Sequence, residues 1–276
     1  MIGRRTLIAG AAFACAAPAV AKRRAELWKF DSLKRIGGLT PRVIGAPQLI
    51  DSPLGKAMLF DGVRDQLLIP RHPLAGTPRF TFEALFRPDG GTFEQRWFHL
   101  ESGDGSAATA KDGQRMLFEI RTEGSEWWLD TFLLGPGYRA PLIDATKRWP
   151  VGRWHHVAQS YDGQVYRAFV NGVEQARAEL AFVPQAPGVA SVGMRMNAVS
   201  PFKGAVRAAA FTRGVTMGAF TAPARASGGS CGRGSGPPHP YAATVRRRAG
   251  RPMLGACFPP ARRTRHAPGW RRLRQP

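Results

Sequence analysis

Residues 154–173 read WHHVAQSYDGQVYRAFVNGV, and the fold turns on this stretch. It carries two tight-turn dipeptides, Asp162-Gly163 and Asn171-Gly172, each set between runs of β-branched, aromatic and small residues. Asp-Gly and Asn-Gly tolerate the positive φ that a type I′ hairpin demands at both central positions. Two such turns in quick succession predict three antiparallel strands in a meander. Two-residue loops would set Tyr161 opposite Gln164, Val157 opposite Ala168, His155 opposite Val170, and Val170 opposite Val173. Directly opposed residues share a face, so Val157, Ala168, Val170 and Val173 are expected on the core side. His156, Arg167, Phe169 and Glu174 fall on the other side, whose mixed character calls for a covering element. A one-residue bulge would exchange the two sets.

The same alternation runs through the rest of the middle. Trp28 and Phe30 are expected to anchor a first strand beside the last one. Short edge strands are expected at 42–45 and 48–50, around Pro47. Strands follow at 56–60 and 66–69. Phe80, Phe82, Ala84 and Phe86 then face one way, and so do Phe98 and Leu100, with Trp97, His99 and Glu101 opposed to the latter pair. Met116, Phe118 and Ile120 alternate with Leu117, Glu119 and Arg121. Trp127 and Trp128 are adjacent on a strand, so they point to opposite faces. Residues 141–150 read as a loop, 189–197 as a strand with Arg195 and Asn197 on one face, and 203–211 as the last strand. No helical periodicity and no fixed repeat occurs. Short strands separated by turn signals predict an all-β antiparallel sandwich.

The run Trp154-x-His-Val-Ala-x-x-Tyr-Asp-Gly, followed by Phe169-Val-Asn-Gly172, resembles the laminin-G-like, concanavalin A-like lectin/glucanase group. Ala57-Met-Leu-Phe-Asp-Gly62 with Asp65, Phe80-Thr-Phe-Glu-Ala84 and Phe202-Lys-Gly204 continue the likeness in order, over roughly residues 26–215. The resemblance implies a jelly-roll sandwich of two antiparallel sheets. It implies no reaction, because that fold hosts lectins, adhesion modules, lyases and hydrolases alike.

The 276 residues carry a formal charge of +21, unevenly spread. Residues 1–21 hold two Arg and residues 221–276 twelve, with no acid in either, which leaves 26 bases against 19 acids between them. Residues 1–21 read as an export signal: Arg4-Arg5 precede a weakly apolar run that closes on Ala19-Val20-Ala21. The Arg pair and the Ala- and Gly-rich run favour twin-arginine export over an ordinary Sec signal. Cys15 lacks the flanking residues of a lipoprotein box. The sandwich, 22–220, contains no cysteine and must hold by burial, as a domain of that size can. Residues 221–276 combine Arg, Pro, Gly, Ala and Ser without periodicity, so disorder is expected. Arg, Pro, Gly and Ala without acids or Lys is also what a GC-rich gene yields when read out of frame, which would place a frameshift near 212–225. An arginine-rich arm for nucleic acid fits an exported protein poorly.

The polar set on the alternating strands is Glu83, His99, Glu101, Glu119, Arg121, Arg195 and Asn197. On the open side of one sheet it would form a sugar groove, with carboxylates and Arg bonding hydroxyls and tryptophan stacking on a pyranose face. The expected ligand contacts are Trp97, His99, Glu119, Arg121, Trp127, Arg195 and Asn197. The competing account is a solvated face laced by cross-strand ion pairs. The glucanases of this fold show Glu-x-Asp-x-x-Glu on one strand. Here Arg121 stands between Glu119 and Glu123, so no catalytic residue is assigned. No cofactor is expected. Calcium would draw on Asp61, Asp65, Asp104 and Asp112, which form no EF-hand loop. The expectation is an exported, periplasmic or secreted module that binds carbohydrate or a cell-envelope polysaccharide without turning it over. A glycan-active enzyme and a protein-binding adhesion domain are the alternatives.

Overall fold

A computed structural model describes residues 25–106, 113–216 and 220. The expected export signal (1–21), the arginine-rich tail (221–276) and Asp112 lie outside the described residues. Within them the chain forms sixteen strands and no helix. In order these are β1 (Glu26–Lys29), β2 (Arg42–Ile44), β3 (Gln48–Ile50), β4 (Ala57–Asp61), β5 (Gln66–Ile69), β6 (Phe80–Pro88), β7 (Glu94–Ser102) and β8 (Arg115–Glu123). Then come β9 (Glu126–Gly135), β10 (Tyr138–Ile143), β11 (Trp149–Pro150), β12 (His155–Tyr161), β13 (Val165–Val170), β14 (Val173–Glu179), β15 (Gly188–Val192) and β16 (Lys203–Thr212).

The strands make two eight-stranded antiparallel sheets, packed as a jelly-roll sandwich. The first runs β14-β13-β12-β6-β16-β4-β3, with β1 also on β16. The second runs β10-β9-β8-β7-β15-β5-β2, with β11 also on β9. As the sequence suggests, the first strand lies on the last, and β2 and β3 are edge strands. Residues 141–150 depart from the loop reading. Pro141 sits inside β10, an outermost strand, where a missing N–H costs no ladder bond to a further neighbour.

The core fills the space between the sheets with aromatic rings. Phe82 of the first sheet stands 4.9 Å from Phe98 and 4.5 Å from Phe118 of the second, and stacks on Phe211 at 4.8 Å. Trp28 closes the same cluster at 4.9 Å from Phe211. All five are essentially inaccessible to solvent. Burying each such ring contributes about 1.5–3 kcal/mol, which is how a cysteine-free core holds.

The central stretch folds as the predicted meander, β12-β13-β14. Its Asn-Gly turn is the two-residue loop expected, with Val170 opposite Val173 and φ of 50° at Asn171 and 81° at Gly172. The Asp-Gly turn is longer. Tyr161 pairs with Tyr166 rather than reaching Gln164, so Val157 opposes Val170. The Asp162 carboxylate accepts from the backbone N–H of Gln164 and of Val165, which stabilises the wider loop. A two-residue slip keeps every side chain on its face, so Val157, Ala168 and Val170 are buried as expected. Val173, at the hairpin tip, is 47% exposed instead. On the mixed face His156 and Phe169 are buried while Arg167 and Glu174 are half-buried, and the ring of Phe220 lies 6.1 Å from that of His156.

Candidate functional site

The outer face of the second sheet carries a polar cluster on β7, β8 and β9, edged by β10. Its organising feature is a hairpin. Gly124-Ser125 is a two-residue turn, Glu123 opposes Glu126, and counting back along both strands brings Glu119 opposite Asp130. Arg96 of β7 opposes Glu119 from the other side. Three neighbouring strands thus present Arg96, Glu119 and Asp130 in a row across one face.

These groups hold one another. Arg96 meets Glu119 at 3.0 Å and Glu94 at 2.6 Å, and donates to the Ser200 hydroxyl at 2.9 Å. Arg121 meets Asp130 at 2.6 Å, Glu94 at 2.9 Å and Glu119 at 3.5 Å. Mutual pairing is what allows charged groups to lie so deep, since a lone buried charge would cost several kcal/mol. Burial, with the charge of Glu119 opposite, pushes the Asp130 carboxyl up to about 7. Burial also raises Glu119, against the pull of Arg96 and Arg121.

Beside this row opens a cavity of about 220 Å³, its charged lining made by Glu119, Asp130, Arg96, Arg115, Arg121, Arg139 and Arg195. Arg115 of β8 and Arg139 of β10 both lean over the ring of Phe132 on β9, with guanidinium carbons 5.5 and 5.4 Å from its centre. Burial and the charge of Arg195 lower the Arg115 pKa; burial and the charge of Arg96 lower that of Arg195. The cavity offers fixed donors and two carboxyl acceptors at an open surface, the equipment for binding a hydroxylated or charged small group.

Of the seven expected ligand contacts, Glu119, Arg121 and Arg195 line this cavity. Trp97 is a correction. A β-bulge between Arg96 and Phe98 turns it inward, where it stacks on Phe86 at 4.4 Å and on Phe118 at 5.4 Å. Trp127 is a second correction. It is the core member of its pair, packed on Phe86 and His155, while Trp128 faces outward beneath Arg148. Neither Trp97 nor Trp127 can stack on a ligand from the surface, because both are fully buried. His99 is on the outer side of β7 but wholly buried. Its Nδ1 accepts from the Met196 N–H at 3.0 Å, and Glu101 lies 3.6 Å from its Nε2. Burial holds His99 well below the usual histidine range.

Arg195 and Asn197 are not on a strand, as β15 ends at Val192. Gly193, at φ 91°, approaches the Phe60 ring so closely that a Cβ would sit 2.2 Å from it, and the chain turns away. Arg195 reaches the cavity from this turn; Asn197 is half-buried and does not line it. Glu83 belongs to the first sheet, where His156 meets it at 3.1 Å. Arg96, Arg115 and Arg139 went unread in the sequence, and Asp130 was weighed only against Glu126, never against Glu119. The Gly124-Ser125 turn was the signal that could have found Asp130.

The three described calcium candidates, Asp61, Asp65 and Asp104, accept hydrogen bonds from backbone N–H groups. The Asp61 carboxylate accepts from the N–H groups of Val63, Arg64 and Asp65, and Asp65 accepts from Ala46 and Asp61. Asp104 accepts from the Ser106 N–H. Among the described residues no group of three or more His, Cys, Asp or Glu could hold a metal ion, and no helix is long and apolar enough to cross a membrane.

No curated protein matches the chain. Solved structures are similar in chain path. Domain 4 of AbnA, a GH43 extracellular arabinanase from Geobacillus stearothermophilus in complex with arabinotriose, is 18% identical over 70% of this chain and 94% of its own, with a TM-score of 0.47. The CBM40 of Ruminococcus gnavus IT-sialidase bound to α2,3 sialyllactose is 16% identical over 51% and 78%, with a TM-score of 0.42. Trypanosoma rangeli sialidase in complex with the inhibitor DANA is 13% identical over 72% of this chain but 32% of its own length, with a TM-score of 0.47. At such identities no ligand is carried over. A family model described as the concanavalin A-like lectin/glucanases superfamily matches residues 61–215, which spans β5 to β16 and the whole candidate site. With more than half its length matched, the chain belongs to the concanavalin A-like lectin/glucanase superfamily.

Proposed function

We propose that the protein is an exported carbohydrate-binding module of the cell envelope or its surroundings, and that it binds without turning its ligand over. One observation carries the reading. Arg96, Glu119, Arg121 and Asp130 are locked to one another at 2.6–3.5 Å beside an open cavity, so donors and acceptors are presented already fixed. Fixed polar groups spare a ligand the entropy of ordering them, which favours binding by hydroxyl-rich molecules. Calorimetric titration with arabinan, xylan, polygalacturonate and dextran is the test. Saturable binding to at least one, lost in Glu119→Gln, with no new reducing ends, supports it. Absence of binding to the whole panel and to cell-envelope polysaccharide sinks it.

A second reading has an observation of its own. Glu119 and Asp130 are directly opposed on adjacent strands, and both carboxylates reach the same Nη2 atom of Arg121, which brings two acids together as a glycosidase's pair must be. Asp130, raised to about 7, would be the proton donor. Against it, both carboxyls are held on Arg121. Release of reducing ends that disappears in both Glu119→Gln and Asp130→Asn would establish the enzyme and displace the binding module.

A further inference from the structure

Resting on the binding reading, we propose that Phe93 is the stacking platform of the site: the apolar C–H face of a sugar ring packs on it while the same saccharide's hydroxyls bond the groups around Arg121. Among the described residues Phe93 is the only phenylalanine, tyrosine or tryptophan with an exposed side chain. Its ring lies 5.8 Å from that of Trp128, edge-on at 71°, and 6.0 Å from the guanidinium carbon of Arg121. With both neighbours in place the residue is still 59% exposed. Single exposed apolar residues are ordinary on a protein surface. This one stands out by what it adjoins. Arg121 lines the polar cavity and holds Asp130 at 2.6 Å and Glu119 at 3.5 Å, so one guanidinium links the ring to both carboxyls.

The backbone beneath the ring is fixed. The Thr122 N–H donates to the Phe93 carbonyl at 2.8 Å, and the Thr122 hydroxyl to that of Thr92 at 2.6 Å. The wholly buried Gln95 amide donates to the Gly90 and Thr92 carbonyls at 2.8 and 2.9 Å. Glu94, the next residue, pairs with Arg96 at 2.6 Å and with Arg121 at 2.9 Å. The approach to β7 is thus anchored on both sides of the ring, and a ligand need not order it. A pyranose presents C–H groups on one face and hydroxyls around its edge. A platform beside fixed donors and acceptors answers both, whereas the cavity alone, with its charged lining, answers only the second. Trp97 and Trp127 are buried in the core, and Trp128 is 5% exposed beneath Arg148.

The test uses the full chain, with arabinan, xylan, polygalacturonate, dextran and cell-envelope polysaccharide as probes. For each probe the wild type binds, Phe93→Ala should weaken affinity about tenfold, the scale of burying one apolar side chain in part. Phe93→Trp should hold affinity within about threefold. Val173→Ala, at an exposed apolar position of the other sheet, should leave it unchanged. The indole introduced by Phe93→Trp should also lose accessibility to acrylamide quenching when the polysaccharide is added. That readout follows contact with the ligand, and a merely structural role would not move it. A loss below about threefold in Phe93→Ala overturns the inference and leaves the binding reading standing. So does an indole quenched equally with and without polysaccharide. A wild type that self-associates in sedimentation while Phe93→Ala is monomeric overturns it too, since the ring would then serve a second copy. Failure of the wild type to bind any probe removes the reading beneath it.

Discussion

Glu119 and Asp130 face each other across β8 and β9, and both reach the same Nη2 atom of Arg121, at 3.5 and 2.6 Å. One cation thus bridges two acids that are each nearly buried. Replacing it leaves Asp130 without its partner, whereas Glu119 keeps Arg96. Arg121→Met is expected to lower stability by about 3–5 kcal/mol at pH 8, the usual cost of stripping one member from a buried pair. At pH 5 the loss should be smaller, because a protonated Asp130 needs no cation. Urea unfolding at the two pH values measures this. An equal loss at both would show that Asp130 stays ionised throughout.

The pH response of the wild type follows from the same burial. Asp130 and Glu101 are each pushed up to about 7, Asp130 by burial and then Glu119, Glu101 chiefly by burial. In the unfolded chain both ionise near 4. The folded form therefore holds more protons between those values. Their contribution is complete below about pH 4 and is lost as pH rises through about 7. The buried histidines His72, His99 and His155 are lowered by burial and act oppositely, losing stability as pH falls below their unfolded value near 6.5. The informative quantity is thus a difference. Subtracting the Asp130→Asn denaturation midpoints from those of the wild type, across pH 4 to 8, should give a curve that falls with pH. A flat or rising difference would contradict the raised value.

The sandwich was legible because its signals are local. Phe80, Phe82, Ala84 and Phe86 alternate, and two glycine turns fold the middle into a meander whose faces survive a two-residue slip. The site was legible only in part. Glu119 and Arg121 lie on β8, which has no irregularity, so alternation placed them correctly. Trp97 was misplaced because a single bulge reverses the side of one residue and leaves no mark in composition. Arg195 was placed on a strand because nothing before Gly193 announces the approach of Phe60, a residue far away in sequence. Arg139 was hidden by Pro141, which argues for a loop unless the strand is known to be outermost.

The bulge at Trp97 makes a prediction that separates core from groove. Its indole is sandwiched between Phe86 and Phe118, nearly parallel to both, at interplanar angles of 3° and 9°. Trp97→Ala should cost about 3–5 kcal/mol through the cavity it leaves. Trp97→Phe should cost less and leave saccharide affinity within about twofold, since no part of the ring reaches the surface. Calorimetric unfolding and titration of the folded Trp97→Phe protein check both halves. A large affinity loss in a fully folded variant would put the indole at the ligand after all.

Asp65 yields a prediction about calcium. It is 4% exposed, and its two carboxylate oxygens accept from the Ala46 N–H at 2.8 Å and the Asp61 N–H at 3.0 Å. Those bonds tie the chain before β3 to the turn after β4, so the carboxylate has a structural role without any cation. Gly45 beside it is at φ 77°, where a Cβ would lie 2.3 Å from the same Oδ1, so the backbone is pressed against the carboxylate. Asp65→Ala should therefore lower stability by about 1–3 kcal/mol, the cost of leaving buried donors unmatched. The decrement should be the same in excess chelator and in millimolar calcium, and the wild-type melting temperature should not move between the two. Stabilisation of the wild type by calcium that vanishes in Asp65→Ala would mean that the carboxylate serves an ion in addition to the turn.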